Sequence, residues 1–189
     1  FGEWPKSVNE CRAWFVTGSA KGVYDTEPWI SELKKLIVQL DEKKIKLIGI
    51  CFGHQMIAES LGGRIEKSPN GWGVGVKTFE IVKKYPWMQP EREKLSLLFS
   101  HQDQVAVLPP QAVVLASDSF CPYQIIQIGN HILTFQGHPE FSVPFAKGRL
   151  TSRKDKIAAQ AYDAAMASFN EPRDSEVVVE WIRKFVLSY

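Results

Sequence analysis

The stretch Lys46–Gly63, K-L-I-G-I-C-F-G-H-Q-M-I-A-E-S-L-G-G, limits what this chain can fold into more than any other. Leu47, Ile48 and Ile50 form a short apolar run that reads as a buried strand. Met56, Ile57, Ser60 and Leu61 then recur at helical spacing, and Gly62–Gly63 supplies a stop. Cys51 falls where strand becomes helix, with Gly49 two residues before it and Gly53 two after. So sharp a turn needs neighbours without Cβ atoms, which makes this the G-x-nucleophile-x-G elbow with Cys in place of Ser. The turn lifts the sulfur above the sheet and sets it at a helix N-terminus, where the dipole favours thiolate. The free N–H of Phe52 can face a developing oxyanion. A lone Cys after an apolar run is, however, usually a small buried hydrophobe. A nucleophile therefore needs a base elsewhere in the chain.

The 189 residues fit one domain, 1–189, with a sizeable core. The net charge of +2 comes from interspersed signs with no basic block, which argues against a nucleic-acid partner. No apolar run approaches ~18 residues, so no membrane span is expected. Three cysteines, Cys11, Cys51 and Cys121, are widely spaced and include no C-x-x-C. That pattern argues for a reducing, cytoplasmic setting and against a disulfide framework or zinc site. No signal peptide is visible, although the chain begins at Phe1.

Ala13–Thr17 reads as a short strand ending in the loop Gly18–Gly22. Asp25 or Thr26 is placed to cap a helix over Glu27–Glu42, with Pro28 in its first turn and Ile30, Leu33, Ile37 and Leu40 on one face. Strand, helix, strand, helix implies parallel β/α units. Short strands are expected at Arg64–Glu66, Val74–Val82, Leu95–Phe99 and Val113–Ala116. Gly129–Asn130 joins Tyr123–Ile128 and His131–Gln136 as a hairpin. Lys83–Lys94, with Pro86 and Pro90, reads as a loop or irregular helix. Helices over Lys154–Phe169 and Ser175–Val186 close the chain.

The base is found in Gln136-Gly137-His138-Pro139-Glu140-Phe141, directly after the last strand. Residues two apart in extended chain point to one side, so Glu140 can fix the tautomer of His138 and leave its other nitrogen for a thiol. Alone, H-P-E in a loop is more simply a solvated pair. Ligands of open α/β sheets, though, sit at the carboxyl ends of strands, and both motifs lie there. Cys51, His138 and Glu140 then form the nucleophile, base and orienter of acyl transfer.

The two segments G-I-C-F-G-H-Q-M-I-A and Q-G-H-P-E-F resemble the signature motifs of class I, triad-type glutamine amidotransferases. Thr17-Gly18-Ser19 with Val23-Tyr24-Asp25, and Ser100-His101-Gln102-Asp103-Gln104-Val105, are similar to segments of the amidotransferase domain of GMP synthetase. The resemblance implies a flavodoxin-like α/β fold: an open, mostly parallel sheet with flanking helices, plus short antiparallel hairpin strands. It also implies hydrolysis of a γ-glutamyl amide through a Cys51 thioester, without metal or cofactor. Backbone N–H groups of Gly18 or Ser19 and of Phe52 would form the oxyanion hole. Gln55, with the backbone around Gln102–Asp103, would hold the α-amino and α-carboxylate of the glutamyl group, and His101 either lines that pocket or caps a loop. Two departures stand out: Ser19-Ala20 replace the usual second Gly and its Pro, and the family's opening strand and helix have no counterpart before Ala13.

The implied substrate is glutamine or another γ-glutamyl compound. A separate synthetase or acceptor subunit would take up ammonia, whereas stand-alone relatives include γ-glutamyl peptidases. A non-catalytic glutamine-sensing or partner-binding module and a thiol redox sensor are competing readings. Of the remaining histidines, His54 is expected to be structural and His131 solvated. Trp72 is expected either at the substrate entrance or in packing.

Overall fold

The reason for the architecture is visible in one strand. Residues 47–50 are buried throughout, so the strand needs cover on both faces. In the computed structural model, which describes residues 3–188, helices supply that cover. The strands are β1 (Ala13–Val16), β2 (Lys46–Ile50), β3 (Arg64–Lys67), β4 (Gly73–Ile81), β5 (Lys94–His101), β6 (Asp103–Val107), β7 (Ala112–Ser117), β8 (Ile125–Ile128) and β9 (Ile132–Phe135). The helices are α1 (Pro28–Glu42), α2 (Phe52–Ser60), α3 (Val143–Thr151), α4 (Ala159–Ser168) and α5 (Ser175–Leu187).

Alternation along β2 sends Leu47 to a core with Ile37 and Leu40 of α1 and Met56 and Ile57 of α2. Ile48 and Ile50 face the opposite core, against Trp181 and Phe185 of α5 and Phe135 of β9. A third cluster joins Val74 of β4 and Leu98 of β5 to α3 and α4 through Leu150, Ala165 and Phe169.

The main sheet runs β1-β2-β9-β8-β7-β4-β5, and β3 pairs with β6 in a separate antiparallel ribbon. Parallel hydrogen bonding joins β1 to β2 and β2 to β9. Every other neighbour in the sheet is antiparallel, so the antiparallel share exceeds the hairpin strands anticipated. In direction, β1, β2, β9, β7 and β5 nonetheless point the same way. Their carboxyl ends share one rim, and the functional loops leave from it.

The structure departs from the local expectations at four points. Neither Asp25 nor Thr26 caps α1: Glu27 occupies the cap position without a side-chain bond, while Asp25 accepts from the N–H of Gly22 at 3.2 Å. The helix expected over Lys154–Phe169 is shorter, because Lys154–Lys156 is a 3-10 turn and Ile157 is extended and buried before α4 begins. α3 is an addition, its sequence disguised by Pro144 and Gly148. Pro is tolerated in a first helical turn, and Ser142 caps this one by accepting from the N–H of Phe145 at 3.4 Å. β6 is likewise an addition.

Candidate active site

Cys51 stands between β2 and α2 with φ 53° and ψ −102°, a conformation unfavourable for a side chain with a Cβ. The surroundings enforce it. A Cβ on Gly53 would lie 1.9 Å from the carbonyl oxygen of Val16, and one on Gly49 would lie 2.7 Å from that of Gly53. The elbow closes against β1 only because both positions are glycine. The N–H of Cys51 donates to Phe135 O at 2.8 Å, tying the turn to the end of β9.

From that same end the chain runs on to His138, whose N–H donates to Leu98 O of β5 at 2.8 Å. Its Nδ1 meets Glu140 Oε1 at 2.7 Å, leaving Nε2 as the nitrogen free for the thiol. The ring is stacked on Phe141 with centroids 3.7 Å apart, and Phe145 packs edge-on against Phe141. The imidazole is thus held by its backbone, a carboxylate and an aromatic face. A Cβ on Gly18 would sit 3.1 Å from His138 Cε1 and 3.9 Å from Cys51 Cβ, so the two side chains meet beside the Gly18 backbone. Burial pulls the His138 pKa down, but the charge of Cys51 and its hydrogen bond, with Glu140 behind them, outweigh this and raise it to about 9.

Two cavities, of about 260 and 270 Å³, flank Cys51 and share Ser19, Ala20 and Ser100 as walls. Gly18, His138 and Glu140 line only the second. Phe52, Gln55, His101, Gln102 and Asp103 line only the first. Every residue expected at the site therefore falls on one wall or the other. In the first cavity Gln55 Nε2 donates to Asp103 O at 2.6 Å and to Gln136 Oε1 at 3.1 Å. Asp103 Oδ1 is buried with no protein hydrogen-bond partner among the described residues. Burial and then the Asp103 carboxylate push the Tyr24 hydroxyl up to about 12. His101 is buried with both ring nitrogens unpaired among the described residues, and burial, assisted by His138 and His54, pushes it down to about 3.

Among the wall residues that sequence reasoning gave no role are Lys67, Phe145, Arg149 and Arg153. The last donates to Ser100 O and Oγ at 3.2 and 2.8 Å and lies 5.1 Å over the ring of Trp72, which lines the first cavity. Both arginines follow from α3 and became invisible with it. Their four-residue spacing was the available signal. His54 is structural as expected, fully buried with Nδ1 2.8 Å from Thr134 Oγ1. His131 is not solvated: it is 2% exposed, with Nε2 2.7 Å from Asp41 Oδ1. Among the described residues no three His, Cys, Asp or Glu side chains converge as metal ligands would, and no helix is long and apolar enough to cross a membrane.

Residues 7–154 match the family described as Glutamine amidotransferase class-I. The chain is 32% identical over 148 residues to gamma-glutamyl peptidase 2 of Arabidopsis thaliana, covering 75% of this chain and 59% of that protein. It therefore spans about three-fifths of the length of that curated relative. Among solved structures, a glutamine amidotransferase of Thermotoga maritima superposes with TM-score 0.77 at 22% identity, over 98% of this chain and 83% of that one. Another, from Methylobacillus flagellatus, gives 0.79 at 20% identity over 97% and 78%. These two likenesses establish a shared fold.

Proposed function

The chain belongs to the glutamine amidotransferase class-I family, and from that premise we propose that it hydrolyses γ-glutamyl amides, with Cys51 as nucleophile. The observation that carries this reading is the meeting of Cys51 with the His138–Glu140 pair where two cavities join. The sulfur attacks the γ-carbonyl carbon, and the oxyanion is met by N–H groups of Gly18 or Ser19 and of Phe52, the last having no acceptor inside its own helix. His138 passes its proton to the amide nitrogen as the C–N bond breaks. It then takes a proton from water, which attacks the thioester, breaks the C–S bond and releases glutamate. Glu140 keeps Nε2 aimed at the sulfur throughout.

His138 must reach the leaving nitrogen, and it lines only the second cavity. The leaving amine therefore belongs there and the glutamyl group in the first. In that first cavity the negative charge of Asp103, beside the Gln55 amide, suits an α-ammonium group. Arg153 and Lys67 supply positive charge for an α-carboxylate.

A chloromethyl ketone analogue of glutamine should alkylate Cys51 in the intact protein. It should spare Cys121, which is buried and pushed up to about 12 by that burial, and exposed Cys11, which has no glutamyl site beside it. Cys51→Ala should lose both labelling and turnover. Labelling spread over all three cysteines, or turnover retained in Cys51→Ala, would reject the assignment.

A further inference from the structure

The second cavity is far larger than ammonia needs. At about 270 Å³ it holds roughly nine waters at their ~30 Å³ share of liquid volume. Its walls are of two kinds. Phe141 and Phe145 offer an aromatic side, and Phe145 is 51% exposed. Arg149, in the last turn of α3, offers a guanidinium. Among the described residues that guanidinium has no carboxylate within ion-pair distance, even though Glu140 lines the same cavity and is engaged by His138. Arg153, four residues on, is committed to Ser100 and Trp72 and faces the other cavity. The leaving-group side thus carries one unengaged cation in a partly buried position.

Resting on the hydrolase reading above, we propose that Arg149 binds a carboxylate on the departing amine. The substrate class is then a γ-glutamyl amino acid or short γ-glutamyl peptide with a free carboxyl, rather than glutamine. Arg is suited to this because its planar fork meets a carboxylate with two parallel hydrogen bonds. The bond broken remains the γ-glutamyl C–N bond, and His138 supplies the proton. Arg149 touches neither reacting atom, so it acts as a specificity residue, and Phe141 and Phe145 take up the leaving residue's side chain.

The test uses a γ-glutamyl dipeptide and its C-terminal amide, which differ only in the carboxylate. In the wild-type chain kcat/KM should favour the free acid. In Arg149→Gln that ratio should fall about 10- to 100-fold, the range of a charge-assisted hydrogen bond, and Arg149→Lys should restore part of it. The loss should fall mainly on KM. A parallel measurement of Kd for both peptides on the Cys51→Ala protein reads the same preference without chemistry. A wild-type ratio near one, or a ratio that Arg149→Gln leaves unchanged, overturns the proposal while leaving the hydrolase reading intact. No cleavage of either peptide, with the Kd preference present and abolished by Arg149→Gln, sinks the hydrolase reading and keeps the carboxylate site.

Discussion

The two ends of β9 carry the same pair of groups in the same contact. At the amino end His131 meets Asp41 at 2.7 Å, and at the carboxyl end His138 meets Glu140 at 2.7 Å. Both imidazoles are almost wholly buried. Cavities are present at both ends, and the two beside His131, about 420 and 410 Å³, are larger than the one beside His138. What separates them is the other side of each ring. His131 leaves Nδ1 without a partner among the described residues, and Lys44 shares the Asp41 oxygen. His138 leaves Nε2 to Cys51, at the rim where parallel strands end. A buried His–carboxylate contact is therefore no sign of catalysis. What sets His138 apart is a cysteine on its free nitrogen and its place at the carboxyl end of the sheet.

The largest expected effect tests that difference directly. On the proposed mechanism His138→Ala should lower kcat/KM on a γ-glutamyl substrate by about 10⁴-fold or more, since members of a triad act as a unit. His131→Gln should stay within about threefold of wild type, the change of under 1 kcal/mol expected of a site outside the chemistry. Glu140→Gln should fall between, at about 100-fold. That is less than the ~10⁴ known for a buried orienting acid, because the Glu140 side chain is 46% exposed and Phe141 still holds the ring. Steady-state kinetics on the three variants decide it. Equal losses from His131→Gln and His138→Ala would erase the distinction.

The contrast was half legible in the chain. The carboxyl end is built from local signals: glycines two residues either side of Cys51, and a glutamate two residues after His138. Such spacings survive in sequence because the geometry they impose is local. The partner of His131 lies 90 residues away, so nothing near the Gly129–Asn130 turn announced its burial. The antiparallel neighbours of β7 and β4 are likewise long-range pairings that strand patterns alone leave open. α3 was lost for a different reason. Pro144 and Gly148 read as breakers, whereas a first turn accepts Pro and an open helix face accepts Gly. The arginines of both cavities went with it.

A smaller effect concerns the turns that precede each contact. Gly53→Ala places a methyl group 1.9 Å from a backbone oxygen, which must move the elbow or β1. It should cost about 3 kcal/mol, the upper part of the overpacking range, along with most of the activity. Gly129, before His131, has φ +57°, and an alanine there would press on the His131 ring. Its cost should be nearer the ~1–2 kcal/mol of a left-handed residue, because a ring can shift where a strand cannot. Urea midpoints of the two variants give the comparison. A Gly53→Ala protein as stable as Gly129→Ala would mean that the elbow is looser than its contacts imply.

The smallest effect is one of sign. Burial holds the His131 pKa below the usual 6.5, although Asp41 opposes it, so the unfolded chain binds the proton more readily. Stability from that site is present above pH 6.5 and is lost as pH falls below it. His138 behaves in reverse: its pKa is raised to about 9, so its contribution is full below 6.5 and is lost as pH rises through about 9. His54 and His101, both pushed down to about 3, add to the acid-side loss. Urea midpoints followed from pH 5 to pH 10 should therefore decline on both sides, for reasons at opposite ends of β9. His131→Gln should soften only the acid side. Cys51→Ala should flatten the alkaline side, because the charge and hydrogen bond of Cys51 lead the influences that raise His138. An alkaline decline that persists unchanged in Cys51→Ala would mean that Glu140 alone holds the imidazolium, and the two ends of the strand would then differ in degree rather than in kind.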